Sequence, residues 1–371
     1  MGNEGISSAA PRPLIVPVFI TGQGCPHRCI FCSGRTTAGP PEQISESSLR
    51  EKVRQFGDGG GRKVQLAFYG GNFTGLAIAE QERLLGCAGR LVEEALVESV
   101  RISTRPDYIK PGIASFLKER HVTTVELGAE SMLDEVLAAS HRGHTAGDVA
   151  AAVAILKANG LQTGLHLMAG LPQDTPEGFL ATVREAISLR PDMVRIHPAI
   201  VFEGTELAGL YETGLYAPLT MEAAIDLCKA ALVRFTLAGI PVIRMGLQQT
   251  PEMEKEGRIK AGPFHPSFGM LVESAVFLEM AGGLLAGFPV PGCSEFKLVC
   301  SPRDESSLRG MKNSNFNKLA QWASPARLEL KTDGEIPPGS ILALAAARIS
   351  KTSIKEFYGG VSLCSNQDSR E

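Results

Sequence analysis

The run Cys25-Pro26-His27-Arg28-Cys29-Ile30-Phe31-Cys32 places three thiols at x3 and x2 spacing, followed by Ser33-Gly34-Arg35 and no fourth cysteine nearby. A structural zinc site takes four protein ligands, and a disulfide framework uses an even, spread-out set of cysteines. His27 sits inside the loop, where geometry would strain it as a fourth zinc ligand. The short odd cluster therefore points to a 4Fe-4S cluster with one iron left unligated by protein, the corner where chemistry can happen. A zinc knuckle closed by a distant residue is the plainer alternative.

Working outward, the cysteines follow an apolar run at 14–21, and similar runs recur at 63–69, 100–104, 123–128, 162–168 and 193–198. Amphipathic stretches long enough for helices separate them at 45–56, 79–97, 109–120, 147–159 and 176–189, with a sixth at 220–238. This alternation is that of strand–helix units around a parallel sheet. Six units make most of a TIM barrel but not all of it. The expected fold is α/β, a partial (β/α)6 TIM-like barrel over 14–249, open on one side, with a small C-terminal α+β accessory domain over 250–364. In that second segment the pattern predicts strands at 295–300 and 326–331 and helix-like runs at 268–285, 306–322 and 341–349. A flexible N-terminus (1–13) and a polar tail (365–371) complete the division.

With 371 residues, 44% of them hydrophobic, the chain can bury a large core. A net charge of −3 and a pI near 6.2 exclude a uniformly basic nucleic-acid binder, so any such partner must be held by a local patch. The first residues lack the apolar segment of a signal peptide or anchor, which predicts a cytoplasmic protein without membrane contact. Cys87, Cys228, Cys293, Cys300 and Cys364 show no ligand spacing and are expected as free thiols. Lys297, Arg303, Arg309, Lys312 and Lys318 make a loose basic set around Phe316, but interleaved acids favour a solvated mixed-charge face.

Parallel barrels place reactive groups beyond the C-terminal ends of their strands. The distinctive residues obey that rule. The cysteine loop follows strand one, Gly70-Gly71-Asn72 follows strand two, and Ser103-Thr104-Arg105 ends strand three. Glu130 follows strand four. Phe31 offers either an aromatic surface beside the cluster or ordinary packing. His166, at the end of strand five, and Glu203, after strand six, are the candidate catalytic groups for proton transfer or substrate orientation, with a structural hydrogen bond as the alternative for His166.

Three cysteines spaced x3 and x2 with an aromatic before the last resemble the signature of the radical S-adenosylmethionine (SAM) superfamily. The resemblance implies an open iron that chelates the amino and carboxylate groups of S-adenosyl-L-methionine. It also implies reductive cleavage to a 5′-deoxyadenosyl radical and an electron donor such as flavodoxin or ferredoxin. Gly70, Gly71 and Asn72 then stand where backbone carbonyls would bind the methionine amino group. Ser103, Thr104, Arg105 and Glu130 would serve the ribose or the carboxylate, and Arg142 is a further carboxylate candidate.

A closer likeness covers 14–245. Phe68-Tyr69-Gly70-Gly71-Asn72-Phe73-Thr74-Gly75, Glu126-Leu127-Gly128-Ala129-Glu130-Ser131, Arg142-Gly143-His144-Thr145, His166-Leu167-Met168-Ala169-Gly170-Leu171-Pro172 and Glu203-Gly204-Thr205-Glu206-Leu207 resemble, in order, the radical domain of the elongator complex catalytic subunit. That family modifies the wobble uridine of transfer RNA, so an RNA nucleoside is the first expected substrate. The residues after 249 show no acetyltransferase pattern, and Glu130 and Ser140 replace a common Gln and Asn of those relatives. Two alternatives stand beside this reading. One is a porphyrinogen or small-metabolite oxidase resembling anaerobic coproporphyrinogen oxidase, and the other a non-catalytic iron–sulfur sensor.

Overall fold

The computed structural model describes residues 13–26, 28–32, 43–56, 62–247, 253, 257–288, 294–345 and 348–360. The expected N-terminal arm apart from Pro13, the C-terminal tail, His27, Cys293 and Cys364 lie outside the described residues. Along the chain run β1 (Leu14–Phe19), α1 (Glu46–Gln55), β2 (Val64–Tyr69), α2 (Ile78–Glu93), β3 (Ser99–Thr104), α3 (Pro111–Glu119), β4 (Val122–Glu130), α4 (Asp134–Ala139), α5 (Ala146–Ala158) and β5 (Gln162–Ala169). There follow α6 (Pro176–Ser188), β6 (Met193–Pro198), β7 (Val201–Phe202), α7 (Glu206–Glu212), α8 (Met221–Leu237), β8 (Val242–Met245), β9 (Ile259–Ala261) and α9 (Phe268–Ala286). The chain then forms β10 (Glu295–Cys300), α10 (Glu305–Arg309), α11 (Ser314–Ala323), β11 (Arg327–Thr332), β12 (Ser340–Ala345), β13 (Arg348–Ser353) and α12 (Ile354–Gly360).

The main sheet has the order β1-β2-β3-β4-β5-β6-β8, all neighbours parallel, and curls into an open half-barrel. Six strands fall where the sequence pattern puts them. The seventh, β8, is only four residues long, and its half-buried run Val-Ile-Arg-Met carries too little periodicity to stand out.

Local chemistry sets the helix starts. Ser45 and Thr145 each close a capping box, with Ser48 and Asp148, and Thr175 and Thr220 cap α6 and α8 through their hydroxyls. Asn159-Gly160 ends α5, with Gly160 at φ +71°.

Alternation along the strands divides the two faces. On β6, Val194 and Ile196 join the helix-side core with Phe68, Leu127, Leu165 and Phe235, while Met193, Arg195 and His197 face a cleft on the concave side.

A second core gathers Val276, Phe277 and Met280 of α9 with Phe296, Leu298, Leu308, Leu319 and Ile341. It lies beside a four-stranded sheet of order β11-β10-β12-β13. α9 feeds both cores, since its Phe268 and Val272 pack in the first. It is long and apolar enough to cross a membrane by composition, but half of its apolar window is buried inside this fold.

The apolar run at 341–349 is not helical. Its described residues form β12 and the start of β13, because buried Ile341, Ala343 and Ala345 alternate with less buried Leu342 and Leu344 against β10. Sheet packing overrides the helix propensity of Leu and Ala. The run at 306–322 divides into α10 and α11 around Gly310, Lys312 and Asn313, all at positive φ.

Candidate active site

The loops beyond β1 and β2 interlock through close backbone contact. Gly24, at φ +72°, sits so tightly that an added Cβ would lie 2.2 Å from the Asn72 carbonyl oxygen, and one on Gly71 would lie 2.5 Å from that of Ile20. Only glycine allows that approach.

Asn72, fully buried, ties three loops together. Its Nδ2 donates to the Gly24 carbonyl (2.8 Å), while its Oδ1 accepts from Thr104 Oγ1 (2.6 Å) and the Arg105 amide (3.1 Å). The side chain is thus spent inside the protein, as is the Thr104 hydroxyl, which also meets Thr74 Oγ1 at 2.5 Å. The Gly70 and Asn72 carbonyls accept from Gly22 and Gly75, whereas that of Gly71 accepts no hydrogen bond among the described residues.

Asn72→Asp turns a donor into an oxygen facing the Gly24 carbonyl. It is expected to destabilise by about 2–3 kcal/mol, read as a lowered thermal midpoint and faster proteolysis of the cysteine loop.

The cysteine loop is pinned at both ends of Ile30, whose amide donates to the Ser140 carbonyl (3.3 Å) and whose carbonyl accepts from the Leu207 amide (2.9 Å). Cys29 is buried, while Cys25 and Cys32 are exposed to the cleft. Arg142 donates through Nη1 to the Cys29 sulfur (3.2 Å) and through Nη2 to the Gly128 carbonyl (2.5 Å), with Glu130 Oε1 3.6 Å away. Burial alone would lower the Arg142 pKa, but Glu130 and the Cys29 sulfur raise it. Burial and then the two neighbouring sulfurs push the Cys25 thiol up. Phe31 packs partly buried between two small apolar clusters, one with Ile30 and Val201 and one with Met168 and Leu171.

All fourteen residues singled out from the sequence line one cleft of about 1650 Å³. Arg105 reaches it while held in a two-point ion pair with Asp107, both contacts at 3.0 Å. Glu203 stands at the mouth, half exposed and 3.6 Å from Arg258.

The basic set of the second segment is not gathered there. Lys297 pairs with Glu295 and Glu329, and Arg309 with Glu305, in a mixed-charge surface.

The largest feature absent from the sequence reading lies deeper. Glu126, with a side chain 1% exposed, receives Arg101 Nη1 (2.6 Å). It also meets Tyr69 OH (2.7 Å), His166 Nε2 (2.5 Å) and Arg195, whose Nη2 and Nε lie 3.0 and 2.9 Å from the carboxylate. Gln65 Oε1 accepts from Arg101 Nε at 2.7 Å. Burial alone would raise the Glu126 pKa, but His166, Arg195 and Arg101 hold the carboxyl far below the usual range. The signal was present as polar residues at alternate positions of predicted strands, Gln65/Tyr69, Arg101/Ser103 and Arg195/His197, which mark a polar concave face.

His144, 5% exposed, meets the Ala129 carbonyl through Nε2 at 3.2 Å. Burial first, then Arg142 and Arg105, depress its pKa to about 4. The unfolded chain takes up this proton near pH 6.5 and the folded one only near 4, so His144 contributes stability at neutral pH that is lost as pH falls through that window. Asp174, raised to about 6 by burial, acts in the opposite sense. Thermal midpoints from pH 7 to 4.5 are therefore expected to fall less steeply in His144→Gln than in wild type, by about 2 kcal/mol at the acid end.

Among the described residues, no three donors converge on one point as a single metal ion requires. A four-iron cube takes its thiolates at separate corners, so a spread set of three sulfurs on one loop fits the cluster.

A half-barrel whose first strand ends in a three-cysteine loop above a polar chamber defines a radical SAM fold. Residues 19–186 match the sequence model of the Radical SAM superfamily, and 191–277 match that of the Radical_SAM C-terminal domain. The chain belongs to the radical SAM superfamily and is a radical SAM enzyme, with a 4Fe-4S cluster and S-adenosylmethionine as its cofactors. It is 29% identical to a tRNA uridine(34) acetyltransferase of Methanocaldococcus jannaschii, over 58% of this chain and 48% of that protein. It is 26% identical to Elongator complex protein 3 of Saccharomyces cerevisiae, over 57% and 47%. The structure of the archaeal Methanocaldococcus infernus Elp3 with an N-terminal deletion superposes with a TM-score of 0.57 at 26% identity, covering 74% of this chain and 64% of that one. The chain spans about half the length of the curated relatives it matches.

Proposed function

We propose that this radical SAM enzyme acts on a nucleoside of an RNA, and that the three cysteines ligate the cluster. The observation that carries the reading is one cleft, lined from the ends of all seven strands of the main sheet, in which the cysteine loop faces a chamber walled by arginines. Such a wall suits a polyanion that the acidic chain as a whole would repel. The tRNA uridine(34) acetyltransferase and Elongator relatives point to the same substrate class.

Cys25, Cys29 and Cys32 would hold the cluster, which would supply the one electron needed for reductive cleavage of S-adenosylmethionine. The chain's residues bind, orient and shield. Gly71 offers its unengaged carbonyl to the methionine amino group, with Gly70 and Asn72 shaping that turn. Arg142 serves the carboxylate while supporting Cys29. Ser103, Arg105 and Glu130 border the ribose, and Thr104 backs them through Asn72. Phe31 packs behind the loop. His166, already oriented by Glu126, and Glu203 at the mouth are the groups for proton transfer or substrate positioning. Residues 250–364 form an accessory domain, a flavodoxin or ferredoxin delivers the electron, and the protein works in the cytoplasm.

The test is anaerobic reconstitution, chemical reduction and chromatography of 5′-deoxyadenosine with and without bulk transfer RNA. Severalfold stimulation by the RNA is expected. Formation of the nucleoside at a rate indifferent to RNA would overturn the RNA assignment while leaving the radical enzyme standing.

A further inference from the structure

The concave wall carries more positive charge than cofactor binding uses. β5, β6 and β8 run parallel with His166 opposite Arg195 and Arg195 opposite Arg244, and all three side chains line the cleft. Paired positions on neighbouring strands are about 4.8 Å apart, so two guanidiniums and an imidazole stand in one row. Glu126, the carboxylate beside the row, is shared among Arg101, Arg195, His166 and Tyr69. Among the described residues, six arginines line the cleft (Arg28, Arg101, Arg105, Arg142, Arg195 and Arg244), of which Arg101 and Arg195 share Glu126, Arg105 pairs with Asp107 and Arg142 lies beside Glu130. Like charges side by side in a confined space repel unless an anion joins them.

The row is also built. Tyr69 and Glu126 hold Arg195 through hydrogen bonds from Nη2, its Nε lies 2.9 Å from the Glu126 carboxylate as an ion-pair contact without hydrogen-bond geometry, and its guanidinium lies 5.0 Å from the Tyr69 ring centroid. Its Nη1 has no hydrogen-bond partner among the described residues, nor does His166 Nδ1. Gly164 makes this possible, because a Cβ there would lie 3.1 Å from Glu126 Cγ and 3.2 Å from Met193 Cγ. A guanidinium fixed along one edge with donors left over is a preorganised receptor for a planar or tetrahedral oxyanion.

We propose that His166, Arg195 and Arg244 form an anion subsite that holds a carboxylate or phosphate group of the substrate against the inner wall of the chamber, apart from the cofactor-binding turns. The inference rests on reading the cleft as the substrate chamber. It adds that the substrate, or a second one delivered with it, carries an oxyanion placed deep in the barrel.

The test is calorimetric titration of the cluster-reconstituted protein, without S-adenosylmethionine, with inorganic phosphate and separately with succinate. Saturable binding of at least one is expected, and the tighter of the two assigns the group. Arg244→Gln, at an exposed position, should weaken that binding at least tenfold. Glu126→Gln/Arg195→Gln, which removes a buried charge together with its partner, should do the same. Arg184→Gln, on the outer surface, should leave it unchanged. Failure of both anions to bind, or equal binding by wild type and Arg244→Gln, overturns the subsite. The functional reading is scored separately by 5′-deoxyadenosine. Nucleoside formation without anion binding sinks the subsite alone, and anion binding lost in Arg244→Gln without nucleoside formation sinks the functional reading alone.

Discussion

Cys29→Ala is expected to lose its iron and to form no detectable 5′-deoxyadenosine after anaerobic reconstitution, while keeping a folded barrel. Of the three cysteines it is the buried one, and it sits beside the Arg142 guanidinium at 3.2 Å. Its loop is anchored by main-chain bonds from Ser140 and Leu207 that the substitution leaves in place. The change should therefore show in iron and sulfide content and in the visible spectrum, with far-ultraviolet dichroism and the thermal midpoint nearly unaltered. Loss of one thiolate from three removes a corner ligand, and among the described residues the nearby His144 does not replace it, since it points its Nε2 at the Ala129 carbonyl. Full iron content in Cys29→Ala would remove that residue from the ligand set. Intact iron with lost cleavage would assign it to support of the cofactor pocket instead.

The ends of the strands were legible because their chemistry is local. A cysteine spacing, a double glycine and a Ser-Thr-Arg strand end each announce themselves within a few residues, and topology gathers them into one cleft. Their individual duties were less legible. Thr104 reads as a hydroxyl for a ligand, yet it is consumed by Asn72 and Thr74, and nothing short of the register between loops 30 residues apart reveals that. The apolar run over β12 read as a helix because Leu and Ala favour one in isolation. Its strand state depends on pairing with β10, some 45 residues away in sequence. Glu126 was visible only as a letter in a family motif. Its meaning comes from Tyr69, Arg101, His166 and Arg195 on four other strands, a relation that exists only once the sheet has curled.

That dependence makes Glu126 the position where a single substitution should cost the fold most. Glu126→Ala leaves Arg101, 5% exposed, beside Arg195 and His166 with no carboxylate between them. Removing one member of a buried charge network costs about 3–5 kcal/mol, because the buried Arg101 guanidinium is left without its carboxylate. For a chain of this size, that corresponds to a thermal midpoint lower by about 4–6 °C. Glu126→Gln keeps the shape and an acceptor oxygen and should fall between alanine and wild type. The sign of the pH effect follows from the depressed carboxyl. The wild-type advantage is present above the unfolded carboxylate value and fades as pH falls below it towards the folded value, so wild type and Glu126→Gln should converge in acid. A triple variant, Glu126→Leu/Arg101→Met/Arg195→Met, separates the two roles the network can have. If the network only supports the fold, replacing it whole by apolar residues of similar bulk restores the midpoint and leaves 5′-deoxyadenosine formation and substrate turnover as they were. If it also forms the inner wall of the substrate site, the midpoint recovers, 5′-deoxyadenosine is still made in the absence of substrate, and turnover does not return.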